Sequence, residues 1–432
     1  MTSGTLLAQI TDYANRADPY PLYAELRKTP VRREDDGTYL VSTYYEVRSL
    51  ANDPRLSNDT SNRPSGYARV GRPDPETGLP PSFIFTDPPV HDRLRDTINR
   101  PFGPPHSPRF LDGLRGELAK AVTELLDAFE NKDQVDIVED FAYLLPVTAI
   151  CKVLGVPRED EPRFHGWADA LASSIDPQAG GADGQEKAQR ARQDMGAYLT
   201  DLIETKRRHP GPGMLSALAP AMTPADLEAT AVLLLVAGHE TTVNAITNTT
   251  LTLLRHPDVL DRFQKDPDLA VPLIEEVLRY EPPVQFVPWT TALADIDVAG
   301  TTIPKGSPVW LMLAAANRDP KRFKDPDRFD PDRRDNEHLG FYTGIHYCFG
   351  APPRPDRTPC GGVRAVPPGQ ILRAARGPTA VPRQRRAARP PAPSRGDREL
   401  HGLSTAARAG GAGPAALLAA PLFRVGRGVR PA

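Results

Sequence analysis

Apolar residues recur every three or four positions along much of the first 352 residues, which is the spacing of one buried helical face. The clearest helical stretches are residues 91–102, 111–130 and 194–210. Residues 37–51 change from a strand pattern to a helical one, and residues 294–311 predict short strands paired around turns. Residues 60–90 contain Pro and Gly throughout and predict a long loop. The patterns together predict a mainly α protein with minor β.

The strongest predicted element is a helix over residues 223–255. Thr223 is a good N-cap, Pro224 fits the first helical position, and Asp226 places a negative charge in the first turn. Pro257 ends the helix. Such a helix is a rod of about 48 Å, long enough to cross a whole domain. Because residues 233–237 are apolar on every face, the middle of the helix is predicted to be buried.

The composition is that of an ordinary globular protein, with 39% apolar and 25% charged residues. The longest unbroken apolar run, residues 231–237, is far shorter than the roughly 20 residues that span a bilayer. The N-terminal segment shows no secretory signal. The cysteines, Cys151, Cys348 and Cys360, are odd in number and sparse, which indicates a reducing compartment rather than a disulfide framework. A cytoplasmic protein without membrane association is predicted.

The net charge of −2 hides two unlike regions. Residues 353–432 carry 15 of the 53 basic residues and 3 of the 55 acidic ones, a local charge of +12, so residues 1–352 carry −14. A uniformly basic nucleic-acid-binding protein is therefore not expected. The Arg-rich tail lacks interleaved aromatic residues and is typical of low-complexity sequence.

The sequence AGHETT at residues 237–242 lies in the middle of the long predicted helix. Gly238 weakens the helix and permits a close approach there. In one interpretation Glu240 has a structural partner and Thr241 bonds back to a carbonyl one turn earlier. In the other, a buried acid beside a hydroxyl delivers protons to a bound ligand. The residues alone leave both open.

Glu276 and Arg279 stand three residues apart on one predicted helical face. Helical pairs at this spacing are common, and most are surface ion pairs of small energy. The spacing by itself is therefore weak evidence of function.

The sequence FYTGIHYCFG at residues 341–350 frames Cys348 with turn-forming glycines. A lone cysteine is more often an inert buried residue than a ligand. Cys360 is too far along the chain for a zinc pair, and His346 is awkwardly close to serve as the base of a nucleophilic cysteine. An axial thiolate to haem iron needs one cysteine, with backbone N–H groups bonding the sulfur. That interpretation fits best.

These motifs, taken together and in this order, resemble the bacterial soluble class of cytochrome P450 haem-thiolate monooxygenases over about residues 12–352. The resemblance implies a triangular helical fold with a long central helix and small β-sheets. The sequence DPPVHDRLR implies that His91 and Arg95 reach the haem propionates. FYTGIHYCFG implies that Cys348 is the thiolate ligand and that His346 lies near a propionate.

The resemblance also assigns the other two motifs. Glu240 and Thr241 match the acid–alcohol pair of the oxygen-activating segment. Glu276 and Arg279 match the Glu-x-x-Arg motif, and Arg328 of DPDRF is the expected third member of a structural ion triad.

The activity that the resemblance implies is reductive activation of O₂ by haem b and insertion of one oxygen atom into a C–H or C=C bond. The expected substrate is a hydrophobic natural product such as a polyketide, macrolide, terpenoid or steroid. The chain shows no dinucleotide-binding or flavin segment of its own. Electrons are therefore expected from a ferredoxin and its NAD(P)H-dependent reductase.

Two positions depart from the family pattern before residue 352. Tyr342 stands where the family usually has Gly or Ser, and Thr290 stands where an Arg often reaches a haem propionate. The lost charge-assisted bond is worth about 1.5–3 kcal/mol, which His91, Arg95 and His346 are expected to offset.

The tail departs further. The family continues after the cysteine loop with a long helix, in which Pro353, Pro355 and Pro359 cannot sit. The Arg, Ala, Gly and Pro content is what a shifted reading frame of GC-rich DNA would encode. Our hypothesis is a catalytic domain over residues 1–352, C-terminally incomplete, and a disordered, frameshift-derived tail over residues 353–432. The alternative function is a non-catalytic helper or inactive remnant; a third is oxidative coupling or epimerisation by the same haem chemistry.

Overall fold

The structure is a computed structural model that describes residues 5–65, 80–102, 108–129, 135–175 and 177–351. The predictions for the tail, residues 353–432, and for part of the 60–90 loop lie outside the described residues. The helices are α1 (Leu6–Thr11), α2 (Tyr20–Arg27), α3 (Tyr44–Ala51), α4 (Val90–Phe102), α5 (Pro108–Asp127), α6 (Leu144–Leu154), α7 (Glu161–Ile175), α8 (Pro177–Arg208), α9 (Met214–Leu218), α10 (Pro224–Arg255), α11 (Pro257–Lys265), α12 (Ala270–Tyr280) and α13 (Leu313–Ala316).

Two small sheets accompany the helices in the part of the chain that is described. The strands are β1 (Val31–Arg33), β2 (Tyr39–Val41), β3 (Leu56–Ser57), β4 (Val287–Ala292), β5 (Ile296–Val298), β6 (Thr301–Ile303) and β7 (Pro308–Leu311). One sheet has the order β1-β2-β7-β4-β3, in which β2 and β7 are parallel, and the other is the β5-β6 hairpin. The prediction of a mainly α chain with minor β is confirmed.

The predicted helical stretches form α4, α5 and α8, and residues 37–51 form β2 followed by α3. Helix α8 begins at Pro177, well before the predicted stretch that starts at residue 194. The residues that precede position 194 are rich in Gly, Gln and charged side chains. They carry no apolar periodicity, so this half of the helix cannot be predicted from the pattern of apolar residues.

The central helix α10 runs unbroken from Pro224 to Arg255, as predicted. The Thr223 hydroxyl accepts a hydrogen bond from the Asp226 N–H at 3.1 Å, which caps the helix. Its apolar middle is only partly buried, because Leu235 is buried whereas Ala237 is exposed. The expectation of burial on every side is wrong there: one side of the helix packs on the core and the other borders open space.

Among the described helices, α10 is the one long and apolar enough to cross a membrane by length and composition alone. Half of its most apolar window is buried within the protein. The buried side packs in a hydrophobic cluster that also contains Phe349, the residue after Cys348. Core packing accounts for the apolar character of the helix.

Candidate functional site

The loop that carries Cys348 is held by main-chain contacts. The Cys348 N–H donates to the Phe341 carbonyl at 2.9 Å, and a short 3₁₀ turn spans Gly344–His346. Gly344 has φ of 70°, and a Cβ there would lie 2.7 Å from the Ala51 carbonyl oxygen. Only glycine fits this turn, which fixes the loop against the end of α3.

Tyr342 of the same loop also adopts the left-handed region, with φ of 60°. A non-glycine residue in this region costs on the order of 1–3 kcal/mol, which explains why Gly suits the position. Its ring packs against the hydrophobic cluster around the larger sheet, and burial raises the pKa of its hydroxyl. This packing offsets the backbone cost.

Cys348 is half-buried. Burial raises the pKa of its thiol, while the Gly350 N–H, the Arg95 charge and the Ala351 N–H act in the opposite direction. Backbone N–H groups directed at a sulfur are the support that an iron-bound thiolate needs.

His91, Arg95 and His346 meet beside this loop, and we call them the basic cluster. The imidazole rings of His91 and His346 lie 4.5 Å apart, and Arg95 Nη2 donates to the Tyr347 carbonyl at 2.7 Å. Among the described residues, His91 Nε2 and His346 Nδ1 are buried without a hydrogen-bond partner. Burial, followed by the His91 and Arg95 charges, lowers the pKa of His346 to about 3.

These atoms fit a haem group. A buried polar nitrogen without a partner is costly, and a carboxylate beside the imidazoles and the Arg95 guanidinium would satisfy them. A half-buried cysteine whose sulfur is supplied with N–H donors suits a metal ion that prefers soft ligands. Propionates at the basic cluster and iron at Cys348 match this donor set. The structure brings together the four residues predicted for cofactor binding.

Glu240 and Thr241 lie on α10 where the helix borders open space. The Thr241 hydroxyl donates to the Ala237 carbonyl at 2.5 Å, as the first interpretation of this motif requires. Glu240 Oε1 lies 3.9 Å from His239 Nδ1, and its side chain is 17% exposed. Both side chains therefore have local partners, and their catalytic role stays a prediction.

His239, the residue before Glu240 on α10, is buried and neutral. Its Nε2 lies 3.4 Å from the Tyr143 carbonyl, and its ring packs edge-on against Tyr143. Burial lowers the pKa of His239 to about 4, against the raising effect of the Tyr143 carbonyl. The close approach expected at Gly238 is present, and the approaching atom belongs to Ile150 of α6, 2.7 Å from a notional Cβ.

Glu276 and Arg279 form a fully buried ion pair, with Arg279 Nη2 2.7 Å from Glu276 Oε1. The third side chain is Arg333, whose Nε lies 3.3 Å from Glu276 Oε2. The expectation of Arg328 is wrong: its side chain is exposed, and it contributes only a main-chain carbonyl that accepts from Arg279 at 3.1 Å. We call Glu276, Arg279 and Arg333 the ion-pair cluster.

Sequence spacing could not distinguish the arginines of this region. Arg328, Arg333 and Arg334 all follow the Glu-x-x-Arg helix within a short stretch rich in Asp and Pro. Which one turns inward is decided by the loop fold, which places the Asp330 N–H 2.9 Å from Glu276 Oε1 and brings Arg333 in beside it.

Comparison with known proteins identifies the family of the chain. A family model described as cytochrome P450 matches residues 184–352. The chain is similar to the cytochrome P450 monooxygenase PikC of Streptomyces venezuelae, with 39% identity over 350 residues that cover 78% of this chain and 80% of that protein. The vitamin D(3) 25-hydroxylase of Pseudonocardia autotrophica is 37% identical, over 77% of this chain and 82% of its own.

The chain is also similar to solved structures of cytochrome P450 proteins. Ligand-free CYP164A2 of Mycobacterium smegmatis matches with a TM-score of 0.71 and 34% identity, covering 86% of this chain and 92% of that one. The chain belongs to the cytochrome P450 family. Cytochrome P450 enzymes are monooxygenases that use thiolate-ligated haem, so the predictions of family, fold class, enzyme class and cofactor are confirmed.

Proposed function

We propose that this cytochrome P450 inserts one oxygen atom from O₂ into a hydrophobic small molecule of secondary metabolism, with electrons from a ferredoxin and its NAD(P)H-dependent reductase. The observation that carries the proposal is the Cys348 sulfur, supplied with backbone N–H donors beside a basic cluster that has unsatisfied nitrogens. A cytoplasmic location accords with the similarity to bacterial enzymes of this family.

In this proposal Cys348 binds the haem iron, and His91, Arg95 and His346 hold the propionates. Thiolate-ligated haem supplies the activation of O₂ once it is bound. Arg95 is fixed for its task by stacking, since its guanidinium carbon lies 5.2 Å from the Phe349 ring centre and 5.5 Å from that of Phe83. A fixed donor loses little entropy when it binds a carboxylate.

Glu240 and Thr241 are proposed to move protons on the open side of α10. The Thr241 hydroxyl hydrogen is held by the Ala237 carbonyl, so its oxygen presents lone pairs that accept a proton donor. The Glu240 carboxyl is adjacent and partly exposed, and it can take protons from solvent.

An apolar substrate suits the surroundings of this segment. Leu233 and Leu234, one turn before Ala237, are half-buried and Ala237 is exposed, so apolar surface borders the open side of α10. Binding sites for small molecules are lined mainly by such surface with few polar groups. The relative named for vitamin D(3) hydroxylation acts on an apolar molecule, in keeping with this class.

The spectrum of the reduced protein with carbon monoxide tests the proposal. We expect the purified protein to show the Soret position that is characteristic of thiolate-ligated haem. Cys348→Ala should lose that band, whereas Cys151→Ala, which removes a buried thiol outside the site, should keep it. A haem-free wild-type protein, or a band that survives Cys348→Ala, would support the helper or remnant alternative instead.

The proposal assigns residues 1–352 to the catalytic domain and residues 353–432 to a shifted reading frame. The family model ends its match at residue 352, and the Pro and Arg content changes from residue 353 onward. Resequencing the DNA tests this assignment. A single-base insertion or deletion near codon 352 is expected; an independently confirmed, uninterrupted frame would contradict it.

A further inference from the structure

We propose that Arg63 supplies the second positive charge of the haem site, in place of the arginine that Thr290 replaces. The inference rests on the proposed haem site. Haem b has two carboxylates, and Arg95 brings one full positive charge to the basic cluster. A second positive charge for the other carboxylate is available from Arg63.

Thr290 cannot provide that charge. It is fully buried on β4, and its hydroxyl donates to the Val309 carbonyl of β7 at 2.7 Å. Its side chain is neutral and is used inside the sheet.

Arg63 contacts the same strand. It follows the short 3₁₀ helix Thr60–Asn62, and its Nη2 donates to the Pro288 carbonyl at 2.7 Å, two residues before Thr290. The residue is only 3% exposed. A guanidinium has five N–H donors in a planar fork, so one side chain can bond a strand carbonyl and a carboxylate together. A buried guanidinium is stable when it faces negative charge.

The segment before Arg63 is tied to the helix that carries His91. Strand β3 pairs with β4 through Ser57 and Thr291, and the Asn58 N–H donates to Asp87 Oδ1 at 2.9 Å. The Asp87 carbonyl in turn accepts the N–H of His91 at 3.0 Å. Arg63 and His91 therefore lie on two segments that are hydrogen-bonded to each other.

The aromatic residues complete the link. Trp289 of β4 packs edge-on against Phe85, with ring centres 5.4 Å apart, and Phe83 lies against His91 at 6.4 Å. Trp289, the residue after Pro288, thus contacts the short 3₁₀ helix Phe83–Phe85, which in turn contacts His91 of the basic cluster. In this proposal Arg63, beside β4, carries the positive charge that an arginine at position 290 would carry.

The rate of haem loss tests this inference. Haem transfer from the holoprotein to apomyoglobin should be at least tenfold faster in Arg63→Gln than in wild type, and intermediate in Arg63→Lys, which keeps the charge. Arg55→Gln is the matched control from the same part of the chain. Arg55 is half-exposed and binds Asp53, so its removal should leave the rate unchanged.

A second mutation that places the positive charge on β4 distinguishes a propionate-binding role of Arg63 from a purely structural one. In an Arg63→Ala background, Thr290→Arg should slow haem loss again, while the unfolding midpoints of the haem-free variants stay together. The inference is overturned if Arg63→Gln releases haem at the wild-type rate, or if Thr290→Arg gives no recovery. A wild-type protein that takes up no haem would instead overturn the proposed function.

Discussion

The two buried clusters of this protein, the ion-pair cluster and the basic cluster, are built from similar residues and differ in how completely they are satisfied. In the ion-pair cluster all five N–H groups of Arg279 have acceptors: two in Glu276 and three in main-chain carbonyls. Glu276 accepts further bonds from Arg333 and Asn336. Nothing in this cluster needs a ligand.

The basic cluster is the opposite case. His91 Nδ1 meets Asp92 at 2.9 Å, but His91 Nε2 and His346 Nδ1 have no partner among the described residues, and both are buried. Buried polar atoms are nearly always satisfied in folded proteins. Burial and charge are common to both clusters; unbonded imidazole nitrogens next to a cysteine occur in the basic cluster alone of the two. A cluster whose donors and acceptors are all bonded stabilises the fold, whereas a cluster with unbonded nitrogens is suited to bind a ligand.

Disrupting the ion-pair cluster should cause the largest loss of stability. Arg279→Ala leaves the Glu276 carboxylate buried without its main partner, which costs about 3–5 kcal/mol of unfolding free energy. Urea unfolding of the holoprotein measures this loss. Arg208→Ala, which removes an exposed pair with Glu204, should change stability by less than about 1 kcal/mol. Equal effects from the two substitutions would contradict the assignment.

The second prediction separates Arg333 from Arg328. Arg333→Ala removes charge-assisted bonds to Glu276 and should cost about 1.5–3 kcal/mol. Arg328→Ala keeps the carbonyl that Arg279 uses and should stay within about 0.5 kcal/mol of wild type. The same urea measurement decides, and a larger loss in Arg328→Ala would restore Arg328 as the third member of the triad.

The third prediction concerns the basic cluster. His91→Phe keeps the aromatic contacts with Phe83 and His346 and removes the unsatisfied nitrogen. Unfolding of the haem-free protein should therefore change by less than about 1 kcal/mol, whereas haem loss should be about tenfold faster because a propionate bond is missing. Urea unfolding and haem transfer are the two readouts. If the haem-free protein were strongly destabilised and haem loss unchanged, His91 would be structural.

The smallest change is expected in amide hydrogen exchange when haem is removed from the protein. Amide hydrogen exchange should rise by up to about tenfold in α4 near His91 and in residues 344–350, because these segments lose a partner. Amides of α12 around Glu276 should exchange at the same rate with and without haem. A rise confined to α12 would reverse the comparison between the two clusters.

Local patterns in the sequence were enough to predict the fold class, the central helix and the residues of the candidate haem site. Apolar spacing and caps fixed α10 to within one residue, because those signals are local in the chain. The resemblance to a known family brought His91, Arg95, His346 and Cys348 into one prediction, because the motifs that carry it are local in the chain.

Tertiary structure decided which side chains are satisfied and by what. Arg333 rather than Arg328 completes the ion-pair cluster, the open side of α10 lies at Ala237, and Arg63 lies against β4. None of these follows from spacing, because each depends on contacts between segments far apart in the chain. A hydrogen bond has a range of about 3 Å, so only the packed fold determines where donors and acceptors meet.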